Sequence, residues 1–416
     1  MRTVLLKSVY WPVFFVVAIV ISALKPVTDN KLEAANSPMR YHGEFGLYVK
    51  KTGSEVEVRW INKEISNGKF QVKQAGEIIS SQTFDKSRSH TATFQFTEEG
   101  KYTIFYGSDD PLDQYETDLY LKNGKTTRSP YYVTNVPKLY AIGDTHGFYD
   151  NLKKLLTNNN LIDENENWIG GKSHLIFLGD LFDRGKDVTK NLWMIYQLDQ
   201  QAQLAGGRIH IVLGNHEIMA FSNDLRYVTP KERSMAATHG LSYQEMFDLK
   251  ESVLGEWLAS KPSVMKVDKM LFAHGGMVTS YGDFSLKKFN DSVYQFMHEP
   301  VFKQIGLESL DTVNFSPDYI KERAGFFYSE LGPYWYRGYV TSDSTRQLLN
   351  TVLREFKSVV HIVGHTSQPT ITQYHRGKLI VTDLDDKATE ILLMEKKNKR
   401  KYWRSKYDIN GNKLKF

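Results

Sequence analysis

The sequence predicts an α/β domain preceded by a small all-β domain of the immunoglobulin or fibronectin-III type. Two changes in residue pattern indicate this organisation. In residues 39–137, apolar residues alternate with polar ones, which is typical of half-buried antiparallel strands. In residues 138–397, short apolar runs alternate with longer helical segments, which is typical of a layered α/β domain. A chain of 416 residues is also long enough to form two cores.

Residues 1–25 are expected to be a signal sequence or a short signal-anchor. Arg2 and Lys7 precede an apolar run over residues 8–24. Positive charge before such a run places the N-terminus in the cytoplasm and the rest of the chain outside it. We therefore expect an exported protein of the bacterial periplasm, anchored to the inner membrane by residues 8–24 if the leader is not cleaved. A buried core helix is the alternative interpretation of this run.

The composition excludes several kinds of chemistry. The chain has no cysteine, so disulfides, thiolate metal sites, a cysteine nucleophile and a lipoprotein anchor are all excluded. The formal net charge of +5 is small for this length and gives no support for a nucleic-acid partner. The basic stretch 396–401 is interpreted as a solvated segment. Residues 398–416 are interpreted as a C-terminal tail with a hairpin-like turn at Asn410-Gly411.

The all-β prediction depends on alternation and turn signals. Val56, Val58 and Trp60 alternate with charged residues, and turns are indicated at Thr52-Gly53 and Asn67-Gly68, among others. About seven short strands without a helical period favour a β-sandwich. Its aromatic residues are interpreted as core, and no residue in it identifies a binding partner.

In the α/β region, polar phrases repeatedly follow apolar runs, where strands are expected to end. They are GDTHG at 143–147, GDLFDRG at 179–185, GNHE at 214–217, AHGG at 273–276 and VGHT at 363–366. In layered α/β domains, chemistry gathers on loops beyond the carboxyl ends of the strands. The phrases supply enough oxygen and nitrogen ligands for two metal ions: Asp144, His146, Asp180, Asn215, His274 and His365. Carboxylate, amide and imidazole ligands suit Mn, Fe or Zn without choosing among them.

Each phrase also has a purely structural explanation. Asp144 suits a helix N-cap, Asp183 and Arg184 suit a salt-bridged turn, and a single buried histidine more often satisfies a core hydrogen bond. Five coincident phrases at strand ends favour the metal site. A carboxylate such as Asp180 after a fully apolar strand is also costly unless it is paired or bound to a metal.

Two further side chains suit work on a phosphate group. His216 follows Asn215 by one residue, so its side chain should point away from the metal while remaining near the substrate. A protonated imidazole there could neutralise phosphate or donate a proton to a leaving oxygen. Arg184 offers a planar fork suited to phosphate oxygens. Glu217 is interpreted as a supporting or helix-starting residue rather than a ligand.

The motifs GDxHG, GDxxDRG, GNHE, HGG and VGHT, in this order, resemble those of the calcineurin-like metallophosphoesterase superfamily. More narrowly, the chain resembles the phosphoprotein phosphatase branch, which includes the Shewanella-like phosphatases and the diadenosine tetraphosphate hydrolases. The resemblance covers residues 138 to about 395. It implies a four-layer α/β/β/α metallophosphoesterase sandwich.

The resemblance also implies a role for each matching residue. Asp144 and His146 would hold the first metal, and Asp180 would bridge the two. The second metal would be completed by Asn215, His274 and His365. His216, oriented by Asp183, would be the acid, and the substrate phosphate would be bound by Arg184, Arg337 and Asn215. Arg337 is included because GPYWYRG at 332–338 resembles a tryptophan-arginine segment of the Shewanella-like group.

Two departures from the family pattern narrow the resemblance. Ser367 stands where the wider superfamily often has a second histidine, in GHxH, so the first metal should have three protein ligands. Leu213 stands where the eukaryotic serine/threonine phosphatases have arginine. Phosphate ester hydrolysis is therefore the firmer expectation, ahead of serine/threonine protein phosphatase activity.

The expected function is metal-dependent hydrolysis of phosphate monoesters, on a phosphoprotein or a small molecule. A hydroxide bridging the two metals would attack phosphorus, and His216 would protonate the leaving oxygen. A phosphodiester or dinucleoside polyphosphate hydrolase is the alternative within enzymes. An envelope adhesion module is the alternative from another class.

Overall fold

The computed structural model describes residues 39–40, 46–124, 126–279, 285–306, 316–385, 387–398 and 401–416. The predicted signal or anchor segment, residues 8–24, lies outside these ranges. Within them, no helix combines the length and the apolar character that crossing a membrane requires.

The N-terminal region forms one hydrogen-bonded sheet of six strands. They are β1 (Met39–Arg40), β2 (Leu47–Thr52), β3 (Glu55–Gln74), β4 (Glu77–Gln95), β5 (Gly100–Gly107) and β6 (Gln114–Leu121). The strand order is β1-β6-β5-β3-β2, and β4 pairs with the other edge of β3. The all-β character agrees with the sequence, but the immunoglobulin or fibronectin-III type is not confirmed. Two of the strands, β3 and β4, are 20 and 19 residues long, unlike the short strands that were predicted.

The long β3–β4 hairpin bends back on itself. The rings of Trp60 and Phe70, both on β3, stack with centroids 5.9 Å apart. Ten residues of straight strand would separate them by about 33 Å, so the strand must turn sharply between them. The pairing register with β4 shifts between Ile61 and Gly68. Asn67-Gly68, predicted as a turn between strands, therefore lies in this bend, and the two halves of the sheet enclose an aromatic core.

The α/β region contains two further six-stranded sheets. The first has the order β10-β9-β8-β16-β17-β18, and the second has the order β14-β15-β13-β12-β11-β7. Their strands are β7 (Tyr132–Val133), β8 (Lys138–Ile142), β9 (His174–Phe177), β10 (Arg208–Ile211), β11 (Val264–Val267), β12 (Met270–Ala273), β13 (Val360–Val363), β14 (Thr372–Tyr374), β15 (Leu379–Val381), β16 (Glu390–Asn398), β17 (Lys401–Asp408) and β18 (Lys413–Leu414). The helices are α1 (Tyr149–Asn158), α2 (Val188–Leu204), α3 (Asn215–Phe221), α4 (Pro230–Thr238), α5 (Tyr243–Met246), α6 (Val253–Ala259), α7 (Leu286–Met297), α8 (Pro317–Tyr328), α9 (Gly338–Thr341) and α10 (Arg346–Glu355).

Alternate residues of each strand show how the layers stack. On β8, Leu139 and Ala141 join a core shared with the second sheet, whereas Tyr140 and Ile142 join a core shared with helices. Val363 of β13 packs on the outer face of the second sheet, together with α10. Successive side chains of a strand point to opposite faces, so the two sheets pack together with helices outside. This is the α/β/β/α arrangement implied by the resemblance.

Two segments differ from the sequence prediction. Residues 263–274, expected as one strand, form the hairpin β11–β12, in which Asp268 takes a positive φ of 51° at the turn. Residues 401–414 of the expected tail form β17 and β18, which extend the first sheet. The predicted turn at Asn410-Gly411 connects these two strands.

Helix α2 connects the N-terminal sheet with the GDLFDRG loop at 179–185. The Trp193 indole N–H donates to the Leu47 carbonyl at 2.9 Å, and the Tyr120 N–H donates to the Tyr196 hydroxyl at 3.1 Å. Trp193 is fully buried. The helix that follows the GDLFDRG loop is therefore packed directly against the N-terminal sheet.

Candidate active site

Each predicted ligand follows the carboxyl end of a strand, as the sequence indicated. Asp144 and His146 follow β8, and Asp180 follows β9. The remaining ligands leave β10, β12 and β13: Asn215, His274 and His365. Since these strands belong to two facing sheets, the loops meet at one end of the sandwich.

The Asp180 carboxylate lies at the centre of the site. Its Oδ2 atom lies 3.7 Å from His146 Nε2 and 3.2 Å from His274 Nε2. The His146 Nδ1–H donates to the Phe182 carbonyl at 2.6 Å, and the His274 Nδ1–H donates to the Leu178 carbonyl at 2.6 Å. These bonds direct the Nε2 atoms of both rings toward Asp180, as backbone partners of metal-binding histidines commonly do.

The second half of the site forms around His274. The Asn215 Oδ1 atom lies 2.8 Å from His274 Nε2, and His365 Nδ1 lies 3.1 Å from it. The His365 Nε2–H donates to the Trp335 carbonyl at 3.2 Å, which leaves Nδ1 for the centre of the site. Burial and then the nearby His274 lower the pKa of His365 to about 2, so the ring is neutral and can act as a ligand.

The geometry fits two metal ions that share Asp180. Two groups of side chains have ligand atoms within 4.8 Å of one another: His146 with Asp180 and His216, and Asp180 with His274 and His365. Two ligand atoms that bind the same ion, each at about 2.1 Å, lie roughly 3.0–4.2 Å apart when the ligand–metal–ligand angle is about 90° or more. The separations of Asp180 Oδ2 from His146 and His274 fall in this range.

Asp144 contributes to the site in a different way. Its Oδ1 accepts the His365 backbone N–H at 3.1 Å, and it is outside the two tightest ligand groups of the described residues. Burial, followed by the nearby Asp383 and Asp180, raises the pKa of Asp144 well above its usual range. Asp144 therefore interacts electrostatically with the carboxylates at the centre of the site. Because it lies on the same loop as His146, it suits a ligand of the first ion.

The site concentrates buried negative charge. Five carboxylates are each exposed by 6% or less: Asp144, Asp180, Asp183, Glu217 and Asp383. Burial raises the pKa of Asp180, but His274 and His216 outweigh this effect and hold it well below its usual value. Buried charges of one sign are costly unless they are paired or bound to cations. This clustering is a second reason that cations suit the site.

Five of the predicted site residues have a positive φ angle, although none is glycine. They are His146 (44°), Asp180 (52°), Asp183 (70°), Arg184 (57°) and His365 (62°). Such backbone conformations cost on the order of 1–3 kcal/mol each and persist where the surroundings fix them, often at functional sites. The neighbouring glycine Gly179 has a φ of 86°, and a Cβ there would lie 2.6 Å from Gly214 Cα. The tight packing of these loops brings the ligands together.

His216 is oriented by Asp183. The His216 Nδ1–H donates to Asp183 Oδ2 at 2.6 Å, and Nε2 lies 3.8 Å from Asp180 Oδ2. Both side chains are almost fully buried. The structure therefore places these two side chains in direct contact. The structure adds that Nε2 lies close enough to Asp180 to join the first ligand group, which the sequence had not indicated.

Glu217 fixes the loops, in agreement with its interpretation as a supporting residue. Its carboxylate accepts backbone N–H groups of Gly214 at 2.6 Å, Asp180 at 2.9 Å and Leu181 at 2.7 Å. Burial and then Asp180 raise its pKa. One side chain therefore connects the loop of Asp180 to the start of α3.

The two predicted phosphate-binding arginines lie at different edges of the site. Arg184 is exposed. Its backbone N–H donates to the Tyr227 carbonyl at 3.1 Å, and its guanidinium lies over the Tyr227 ring. The exposed Arg337 guanidinium donates to the His365 carbonyl. Arg184 is therefore near His216, and Arg337 is near the second ligand group.

The sequence analysis missed two residues of the site. Asp383 is 1% exposed and follows β15, and its Oδ2 accepts the Ser367 hydroxyl at 2.8 Å. It follows an apolar run like the other ligands, but that run was interpreted as continuing through Leu384. Tyr227 lies with its ring 5.3 Å from the His216 ring, in a loop between helices where no motif marked it.

The family model of calcineurin-like phosphoesterases matches residues 137–369, which is more than half of the chain. The chain belongs to the calcineurin-like phosphoesterase family. This confirms the family resemblance and agrees with the predicted class of phosphatase hydrolase. The matched residues include all five strands that precede the predicted ligands and all six predicted metal ligands.

This phosphoesterase is similar in sequence to proteins of the Shewanella-like group. It is 29% identical over 240 residues to Shewanella-like protein phosphatase 1 of Plasmodium berghei, a match that covers 56% of this chain and 62% of that protein. It is 40% identical over 94 residues to Shewanella-like protein phosphatase 2 of Arabidopsis thaliana, covering 23% and 24% of the two chains. These matches span less than two thirds of either relative.

A solved structure of similar fold covers most of the chain. The cold-active protein-tyrosine phosphatase of a psychrophilic Shewanella species superposes with a TM-score of 0.68 at 26% identity. The match covers 89% of this phosphoesterase and 98% of that chain. The likeness therefore extends beyond the family-model match, over much of the described chain.

Proposed function

We propose that this phosphoesterase hydrolyses phosphate monoesters at a site that holds two metal ions. The observation that carries the proposal is the position of Asp180, whose single Oδ2 atom lies within 3.7 Å of imidazole nitrogens from two ligand groups. The ions would be held by Asp144, His146, Asp180, Asn215, His274 and His365. When bound, such a pair supplies a nucleophilic water at neutral pH and neutralises phosphoryl oxygens. Mn, Fe and Zn all suit these ligands.

His216 acts as the proton donor in this proposal. Asp183 holds its Nδ1, so only Nε2 is available to give a proton to the leaving oxygen as the P–O bond breaks. The same hydrogen bond fixes the orientation of the His216 ring. Burial of both side chains keeps this geometry fixed.

The proposed substrate is a phosphorylated protein or a small aryl phosphate. The Shewanella neighbour is titled a protein-tyrosine phosphatase, and the two relatives are named protein phosphatases. A phosphotyrosine side chain is an aryl monoester. The predicted leader would make the substrate one of the cell envelope.

A substrate panel tests the proposal. The metal-free protein is loaded separately with Mn, Fe or Zn and assayed on a phosphotyrosine peptide, the same peptide with phosphoserine, bis-p-nitrophenyl phosphate and a dinucleoside tetraphosphate. We expect the phosphotyrosine peptide to give the highest kcat/KM. Preferred cleavage of the diester or the tetraphosphate would contradict the proposal and favour the alternative hydrolase.

Replacing either phosphate-binding arginine should weaken catalysis. We expect Arg184→Ala and Arg337→Ala each to lower kcat/KM for the preferred monoester by about ten- to a hundred-fold, since a charge-assisted hydrogen bond is lost. Steady-state kinetics measures the effect. Arg354→Ala, an exposed position in the last turn of α10, is the control and should retain wild-type kcat/KM. An unchanged kcat/KM for either site variant would show that this arginine does not bind the substrate phosphate.

A further inference from the structure

Tyr227 is a partly exposed aromatic residue beside the proposed proton donor. Its side chain is 48% exposed, and its ring centroid lies 5.3 Å from that of His216. The other aromatic ring beside His216 among the described residues is His146, which is fully buried. Tyr227 therefore forms the solvent side of the His216 environment.

The position of Tyr227 is fixed by charged neighbours. The Arg184 and Arg226 guanidinium carbons both lie 5.8 Å from the Tyr227 ring centroid, within the range of cation–π attraction. Arg226 is in turn held by two hydrogen bonds of 2.8 Å to the Asp224 carboxylate, which is 6% exposed. Two guanidinium groups therefore lie beside the Tyr227 ring at the edge of the site.

The orientation of His216 indicates where a leaving group lies. Asp183 occupies Nδ1, so a leaving oxygen must approach Nε2 to receive a proton. A leaving group bound next to Nε2 therefore lies beside the His216 ring, whose described aromatic neighbours are the buried His146 and the partly exposed Tyr227. Of these two rings, Tyr227 is the one with exposed surface that such a group can contact.

We propose that Tyr227 contacts the leaving group of the substrate and favours aryl phosphates over alkyl phosphates. The inference rests on the proposed monoester hydrolysis. Aromatic rings attract one another at centroid distances of about 4.5–7 Å, beyond the effect of buried area, and an alkyl group lacks this term. Tyr227 is thus a specificity residue, and it is separate from the ligands and from the proton donor.

A cavity on another side of the site is the alternative location for the leaving group. A cavity of about 370 Å³ beside Arg337 is lined by Leu331, Trp335 and Tyr336, and Leu331 is 59% exposed. This cavity adjoins the second ligand group, because Arg337 bonds to the His365 carbonyl. If the leaving group lay there, substitutions at Leu331 would control the preference instead.

The test compares kcat/KM for phenyl phosphate with kcat/KM for an alkyl phosphate in each variant, divided by the same ratio in the wild type. This double ratio cancels the intrinsic difference in reactivity between the two esters. Tyr227→Ala should lower it by about three- to ten-fold. Tyr227→Phe should keep it within about two-fold, because the ring remains. Tyr132→Ala, at a 51% exposed tyrosine of β7, should leave it unchanged.

The outcomes separate this inference from the proposed function. An unchanged ratio in Tyr227→Ala, with a thermal unfolding temperature near that of the wild type, would overturn the role of Tyr227. A drop in Leu331→Ala but not in Tyr227→Ala would assign the leaving group to the cavity beside Arg337 and would also overturn it. A wild-type protein that hydrolyses neither monoester would overturn the proposed function itself.

Discussion

Asp180→Asn should leave the protein with fewer than two bound metal ions and lower turnover by more than about a thousand-fold. The amide keeps the shape of the side chain but removes the charge and one acceptor oxygen. The carboxylate lies 3.7 Å and 3.2 Å from imidazole nitrogens of both ligand groups, so both metal positions lose a ligand. Elemental analysis of protein loaded with Mn, together with kcat, measures the two effects.

The control for this variant addresses folding. Asp150→Asn changes an exposed acidic residue in the first turn of α1 and should bind two ions with wild-type turnover. Circular dichroism of the metal-free Asp180→Asn protein should match that of the metal-free wild type. Two ions bound to Asp180→Asn at wild-type affinity would contradict the bridging role.

His216→Ala should retain both metal ions and lower kcat by about a hundred- to ten-thousand-fold, the range typical of a lost general acid. The reduction of kcat in this variant should depend on the leaving group of the substrate. An alkyl phosphate needs protonation of the departing oxygen more than p-nitrophenyl phosphate does, so the alkyl ester should suffer the larger reduction. Steady-state kinetics on both esters, with metal content measured on the same samples, tests this expectation.

This experiment also decides between two roles for His216. Its Nε2 lies 3.8 Å from Asp180 Oδ2, and the residue belongs to the first ligand group. If His216 were a metal ligand, the variant would lose an ion, and both esters would slow by the same factor. His298→Ala, at the end of α7, is the matched control and should behave like the wild type. Equal reductions for both esters would contradict the proton-donor role.

The positions of the candidate ligands could be predicted because each one follows a short apolar strand. Asp180 follows β9 and His274 follows β12, at positions where burying a polar side chain is costly unless it is paired or bound to a metal. The distance of each residue from the end of its strand is visible in the sequence. The hydrogen bond from His216 to Asp183 was predicted from the resemblance alone. Its length and the burial of both groups came from the fold.

Other features depend on contacts that no local pattern records. Asp383 was missed because the strand before it ends at Val381, three residues before Leu384, where the apolar pattern suggested that it ends. Tyr227 was missed because its importance comes from the neighbouring His216 ring, 11 residues earlier in the chain. The positions of both residues are set by tertiary packing.

The N-terminal sheet shows the same limit. Alternation predicted strands here, but the Asn67-Gly68 pair was interpreted as a turn between two strands. Instead, β3 continues through it with a shifted register and bends to pack Trp60 on Phe70. Period-two patterning identifies the buried face of a strand, whereas the pairing partner and the bend are decided by long-range packing.

Two metal ions are expected to share the Asp180 carboxylate. Anomalous diffraction from crystals of the Mn-loaded protein measures where the ions lie. We expect two anomalous peaks on either side of Asp180, one next to His146 and the other between His274 and His365. A single peak, or two peaks of which one does not contact Asp180, would show that the carboxylate is not shared.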